Sequence, residues 1–212
     1  MNRPTADQIR SIYSQIDQVG GLPVDESGWN SHGALFGEIM NLLKPEVGIE
    51  VGVFNGASVL TLCRESQKRG LRTLIYAVDV YFGHVGDGIG QTPASQIPTH
   101  WSRPTREQQF LKNVKAAGFD DRVIPVVNFT SHGAKMLKHW GVVADFIYVD
   151  ASHTEEGVYG DATDYWDLLR PGGIMGFDDL GYPTCLAGIA KFGNERNLPL
   201  EIVGGQGYYK KP

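Results

Sequence analysis

Apolar positions recur along the chain with two periods, and the switching between them outlines a fold. Residues 5–19 (TADQIRSIYSQIDQV) place Ile9, Ile12, Tyr13, Ile16 and Val19 at three- and four-residue steps, which predicts an amphipathic helix. Residues 20–32 (GGLPVDESGWNSH) follow neither period and read as a loop, and a second helix over 33–43 stops before Pro45. From there, short apolar runs alternate with helical stretches. The runs 47–53, 73–79, 123–128, 144–150 and 173–177 predict strands. The stretches 56–69, 104–117, 131–140, 155–169 and 184–196 predict helices, the fourth ending at the stop signal 170-RPGG-173. Two short strands, 200–203 and 207–211, follow the last helix. Strands that are apolar throughout belong to parallel sheets covered on both faces. Strict strand–helix alternation therefore predicts an α/β chain with a doubly wound sheet.

One interval breaks the rhythm. Residues 81–103 are polar, rich in Gly and Pro, and too long for an ordinary connector, so they read as a lid-like insertion or substrate wall. Tyr81, Phe82, His84, His100 and Trp101 are candidate wall residues there, with Trp29 of the N-terminal loop facing them. The expected organisation is a helical cap over 1–46 followed by one domain over 47–212.

Composition narrows the function classes. The 212 residues are 42% hydrophobic and 20% charged, enough for one sizeable core. A net charge of −5 with scattered basic residues argues against a nucleic-acid surface. No apolar run reaches the roughly 18 residues of a membrane span, and the polar stretch MNRPTADQIRSIYSQI lacks a signal-peptide core. Cys63 and Cys185 show no metal-ligand spacing and read as buried thiols of a cytoplasmic protein.

In a doubly wound sheet, ligands bind outside the carboxyl ends of the strands. The first strand ends in 50-EVGVFNGAS-58. Gly52 and Gly56 permit a sharp turn, and the helix that follows presents free N–H groups. The spacing is G-x-x-x-G, which disfavours a dinucleotide pyrophosphate cradle. Glu50, two residues before the turn, repels phosphate; it either receives a positive or hydrogen-bond-donating ligand or caps local backbone. Asp79 ends the second strand, where a carboxylate accepts from ribose hydroxyls or simply holds a turn. Asp150 ends the fourth strand and Asp178-Asp179 the fifth. Three neighbouring carboxylates call for something positive among them, and a hard cation such as Mg²⁺ satisfies that; the alternative is that one binds a ligand while the others cap helices. His153, three residues past Asp150, is either a proton acceptor or a structural partner of the acids.

These motifs together resemble the class I S-adenosylmethionine-dependent methyltransferases, in particular the branch holding catechol-type and macrolide-sugar O-methyltransferases. The stretches that carry the resemblance are IEVGVFNGASVLTL, AVDVY and DFIYVDASHTEEGVYGDATDYWDLLRPGGIMGFDDL. The resemblance implies a Rossmann-like, seven-stranded, mainly parallel sheet with a C-terminal antiparallel strand. It implies that Glu50, Gly52, Phe54, Gly56 and Ser58 line the cofactor, that Asp79 takes the ribose, and that Thr130 or Ser131 lies near the adenine. It assigns Asp150, Asp178 and Asp179 to Mg²⁺, with Asp150 also facing the cofactor. Catechol-type enzymes place a lysine three residues after the first ligand as base, where this chain has His153. A small-molecule hydroxyl acceptor (a sugar diol, catechol or natural product) follows, and a homodimer is compatible. A metal-free methyltransferase, a nicotinamide oxidoreductase and a non-catalytic cofactor-binding module are the rival readings.

Overall fold

The computed structural model describes residues 3–14, 23–28, 33–81, 99–100, 103–104 and 106–212. Helix α1 (Ala6–Tyr13) opens with a capping box: Thr5 Oγ1 accepts from the Gln8 amide and Gln8 Oε1 accepts from the Thr5 amide, satisfying two otherwise orphaned donors. The expected continuation of this helix falls in residues 15–22, outside the described residues. Its buried face carries Ile9 and Tyr13, and the Tyr13 hydroxyl donates to the Val123 carbonyl at 2.7 Å. Helix α2 (Ala34–Leu43) buries Leu35, Phe36, Ile39 and Met40 and stops at Lys44, which turns left-handed ahead of Pro45. Both N-terminal helices thus join the same apolar core as the sheet.

The alternation then runs as the sequence predicts. Strand β1 (Val47–Val51) leads to α3 (Ala57–Lys68) and β2 (Leu74–Asp79). The insertion contributes a two-residue antiparallel pair, β3 (Thr99–His100) and β4 (Arg103–Pro104). Helix α4 (Arg106–Ala116), β5 (Val123–Val127), α5 (Thr130–His139), β6 (Ala144–Val149) and α6 (Glu155–Trp166) follow. Strand β7 (Leu169–Phe177), α7 (Pro183–Glu195), β8 (Glu201–Val203) and β9 (Gln206–Lys210) complete the chain. The main sheet has the order β5-β2-β1-β6-β7-β9-β8; the first five are parallel, β9 pairs antiparallel with β7, and β8 pairs antiparallel with β9. This is the expected seven-stranded Rossmann-like architecture.

One boundary differs. The segment 170-RPGG-173 lies inside β7 rather than before it. Leu169 already pairs with Ala144, the register then shifts before Phe146 pairs with Ile174, and the Gly172 amide donates to the Lys211 carbonyl. Pro and Gly here mark an irregular strand entry, not an interruption. Most of the expected lid, including Phe82, His84 and Trp101, lies outside the described residues, as does Trp29, and of His100 only the backbone is described. Tyr81 is buried, its ring 5.4 Å from that of Phe110.

The order places a switch point between β1 and β6: from β1 the sheet grows outward through β2, and then resumes on the other side. The carboxyl ends of those two strands nearly touch. Gly52 has φ +85°, and a Cβ there would lie 1.9 Å from the Asp150 carbonyl oxygen. Gly52→Ala should therefore cost about 2–4 kcal/mol through strain and backbone displacement. Chemical denaturation checks this; a loss below about 0.5 kcal/mol would show that the strand ends separate easily.

Candidate active site

Glu50 sits at the floor of the switch point, fully buried, opposite Ala77 of β2 and Tyr148 of β6. Its Oε1 accepts a hydrogen bond from the Ser58 hydroxyl in the first turn of α3. Its Oε2 has no hydrogen-bond partner among the described residues. Burial pushes the carboxyl up to about 8, the Ser58 hydrogen bond partly opposes this, and the charges of Asp79 and Asp178 add to it. A buried carboxylate with an unused oxygen suits a cationic, hydrogen-bond-donating ligand.

Above it, the turn is held by Asp79 rather than by its glycines alone. Asp79 Oδ2 accepts from the amides of Val53 (2.7 Å) and Phe54 (2.9 Å), and Oδ1 accepts from the amide of Tyr81 (2.6 Å). Phe54 adopts φ +51° and lies under the Arg106 guanidinium, 4.1 Å from its ring centre. Gly56 caps α3, and a Cβ there would come within 2.7 Å of the Phe110 ring. Sequence reasoning missed a clamp over this turn. Asn55 Nδ2 donates to Asp25 Oδ2 at 3.0 Å, Asn113 Nδ2 donates to the carbonyls of Asp25 (2.6 Å) and Asn55 (2.8 Å), and Arg64 pairs with Glu26. These contacts tie residues 23–28 to the first turn, and their sequence separations of 30 to 88 leave no local signal.

Thr130 and Ser131 begin α5, after β5. The Thr130 carbonyl accepts from the Tyr165 hydroxyl at 2.8 Å, and Ser131 Oγ lies 3.4 Å from His132 Nδ1.

Across the switch point, Asp150, Asp178 and Asp179 line one small crevice of about 10 Å³, room for a single water-sized species. Burial drives the Asp150 carboxyl well above the usual carboxylate range, and the charges of Asp178, Asp179, Glu50 and Asp79 drive it further. Asp179 takes φ +36°, and its Oδ2 lies 2.8 Å from His153 Nε2. Asp150, His153 and Asp179 each offer a ligand atom, all within 4.8 Å of one another. Asp178 is outside that closest trio: its Oδ1 accepts from Gln206 Nε2 at 3.2 Å. The His153 ring stacks on Tyr182, with centres 5.3 Å apart and planes at 18°. The donor set is mostly hard oxygen and densely anionic, which fits a divalent cation of the Mg²⁺ type.

A separate cavity of about 530 Å³ opens among Ile9, Val47, Tyr76, Ile124 and Trp140 at the amino-terminal edge of the sheet. It is larger, but no strand-end carboxylate lines it, so the chemistry lies at the carboxyl edge. Cys63 and Cys185 are both buried thiols. Among the described residues, no helix is long and apolar enough to cross a membrane.

Comparison with known proteins agrees with this geometry. The family described as "Methyltransferase domain" matches residues 49–180, from Ile49 beside the buried glutamate to just beyond the acidic pair. No curated protein matches the chain. Among solved structures, the O-methyltransferase NovP superposes with TM-score 0.63 at 11% identity, covering 97% of this chain and 99% of its own. The calicheamicin methyltransferase CalS11 gives 0.61 at 16%, covering 99% and 94%. An O-methyltransferase from Bacillus cereus in complex with SAH gives 0.58 at 14%, covering 96% and 90%. With 132 of its residues inside the family match, the chain belongs to the methyltransferase domain family.

Proposed function

We propose that the chain transfers a methyl group from S-adenosylmethionine to a hydroxyl of a small molecule, with a divalent cation held by Asp150, Asp178 and Asp179. The observation that carries this is the shared crevice of those three carboxylates beside the buried Glu50. Beyond its own burial, Asp178, Asp179, Glu50 and Asp79 each disfavour the ionisation of Asp150, so a doubly positive ion would relieve repulsion among them. Glu50, Ser58 and the turn over Gly52–Gly56 would hold the amino-acid half of the donor, whose ammonium and sulfonium are positive. Asp79 would accept from the ribose through lone pairs left after its three backbone bonds, and Thr130 and Ser131 would stand at the adenine end.

The cation, when bound, supplies a Lewis acid that lowers the pKa of an acceptor hydroxyl toward neutrality. At 2.8 Å from Asp179, Nε2 of His153 is the protonated ring nitrogen, so the imidazole would take the acceptor proton at Nε2 only as the neutral tautomer protonated at Nδ1, with Nε2 free of that carboxylate. Stacking on Tyr182 keeps the imidazole plane fixed during that exchange. Holding donor and acceptor together supplies much of the acceleration, because the reaction joins two bound molecules. Acceptors with adjacent oxygens, such as sugar diols and catechols, match a site of this kind.

The test is methyl transfer to a panel of vicinal diols and catechols after exhaustive chelation and after restoring Mg²⁺. The expected result is loss of at least about 100-fold on chelation and recovery with the ion. A metal-free methyltransferase is the second reading, favoured by the His153–Asp179 contact, which partners one carboxylate without any ion; equal turnover in both conditions would establish it. His153→Ala should lower kcat by about 100- to 10,000-fold, with donor affinity changed little; unchanged kcat at all pH values would remove His153 from proton transfer.

A further inference from the structure

Gln206 is a neutral residue at the start of β9, yet it reaches the acidic rim. The two-residue turn Gly204-Gly205, with φ of +61° and +89°, pairs Val203 with Gln206. Antiparallel pairing of Phe177 with Gly207 then brings Gln206 alongside Asp178, one step beyond. The side chain is buried, and its Nε2 donates to Asp178 Oδ1 at 3.2 Å and to the Tyr148 hydroxyl at 2.5 Å. One amide thus bridges the Tyr148 hydroxyl and the Asp178 carboxylate, and neither neutral side chain brings a compensating charge of its own.

The amide is fixed from a second direction. Gly33, immediately before α2, leaves room for it: a Cβ there would lie 1.7 Å from Gln206 Oε1. Tyr148 is likewise seated by packing. Its ring meets Phe36 of α2 edge-on at 4.9 Å, and Gly176 in the neighbouring strand makes room for it. Gln206 Oε1 is itself buried without a hydrogen-bond partner among the described residues. An apolar side chain would remove that unsatisfied acceptor, so packing alone does not account for a glutamine at this position.

We infer that Gln206 is a positioning residue: its amide, anchored on the Tyr148 hydroxyl, holds the Asp178 carboxylate in place beside Asp150 and Asp179 for the cation. The inference rests on the cation reading proposed above. Partners that orient a ligand carboxylate usually govern affinity for the ion rather than for the organic cofactor. The C-terminal hairpin is then part of the active site, although the family match ends at residue 180.

The experiment measures Mn²⁺ binding by the paramagnetic resonance of the free ion, S-adenosylhomocysteine binding by calorimetry, and the melting temperature. The proteins are the wild type, Gln206→Leu and Gly33→Ala. Gly33→Ala displaces the amide while leaving β9 unaltered, at a backbone conformation (φ −58°, ψ 145°) open to alanine. The expected result is Mn²⁺ affinity about 10- to 100-fold weaker in each variant, with S-adenosylhomocysteine affinity within about threefold of the wild type. Mn²⁺ affinity within about twofold of the wild type in folded variants overturns the inference and leaves the cation reading standing. A wild type that takes up no Mn²⁺ overturns the cation reading itself. If Gln206→Leu fails to fold, Gly33→Ala decides by the same criterion.

Discussion

Replacing Asp150 with asparagine should cut kcat/KM by at least about 1,000-fold and, in the same protein, raise the melting temperature. The two effects share one cause. Asp150 is pushed well above its ordinary pKa first by burial and then by Asp178, Asp179, Glu50 and Asp79. A carboxyl whose folded pKa exceeds its unfolded value opposes folding once it ionises. Its penalty is absent below the ordinary carboxylate range and grows as pH rises through and beyond that range. Asparagine has no such term, so the thermal advantage of Asp150→Asn should grow from about pH 4 toward pH 8. At about 2–4 °C per kcal/mol for a chain of this size, a shift of several degrees is expected. Saturating Mg²⁺ should stabilise the wild type and narrow the gap. Calorimetric melting across pH, with and without Mg²⁺, reads all of this. An asparagine variant that melts no higher at pH 8 and keeps a tenth or so of the activity would mean that Asp150 is neither crowded nor catalytic.

Glu50→Gln should weaken S-adenosylmethionine binding by about 10- to 100-fold and flatten its pH dependence. In the empty chain burial holds the Glu50 carboxyl at about 8. Raised above its unfolded value, it costs stability as pH rises from the ordinary carboxylate range to about 8. A cationic donor favours the ionised form, so binding and proton release are linked. Wild-type affinity for the donor should therefore strengthen with pH up to about 8 and level off beyond it, whereas the glutamine variant should show no such slope. S-adenosylhomocysteine lacks the sulfonium charge, so its loss on substitution should be smaller. Titrations at several pH values check the slope. Equal affinity in both proteins at every pH would show that the unused Glu50 oxygen faces no ligand charge.

Much of this site was legible because its residues sit at strand ends, and strand ends are set by local pattern. The apolar run ending at Val51 placed Glu50 and Gly52; those ending at Val149 and Phe177 placed Asp150, Asp178 and Asp179. Sheet order then brought them together, which alternation already implied. What escaped was long-range. Nothing near Asn55 announces Asp25, 30 residues earlier, and nothing near Asp178 announces Gln206, 28 residues later. The second had a usable trace: a Gly-Gly pair between two short strands fixes a hairpin register, and the register brings Gln206 to the rim.

The most direct measurement is a calorimetric titration of S-adenosylmethionine into the purified chain near neutral pH, with no other ligand added. The expected result is saturable uptake of one equivalent at the β1–β6 switch point, abolished or strongly weakened by Glu50→Gln. No saturable uptake by the wild type, with or without Mg²⁺, would contradict the claim that this acidic cleft exists to hold a positively charged methyl donor.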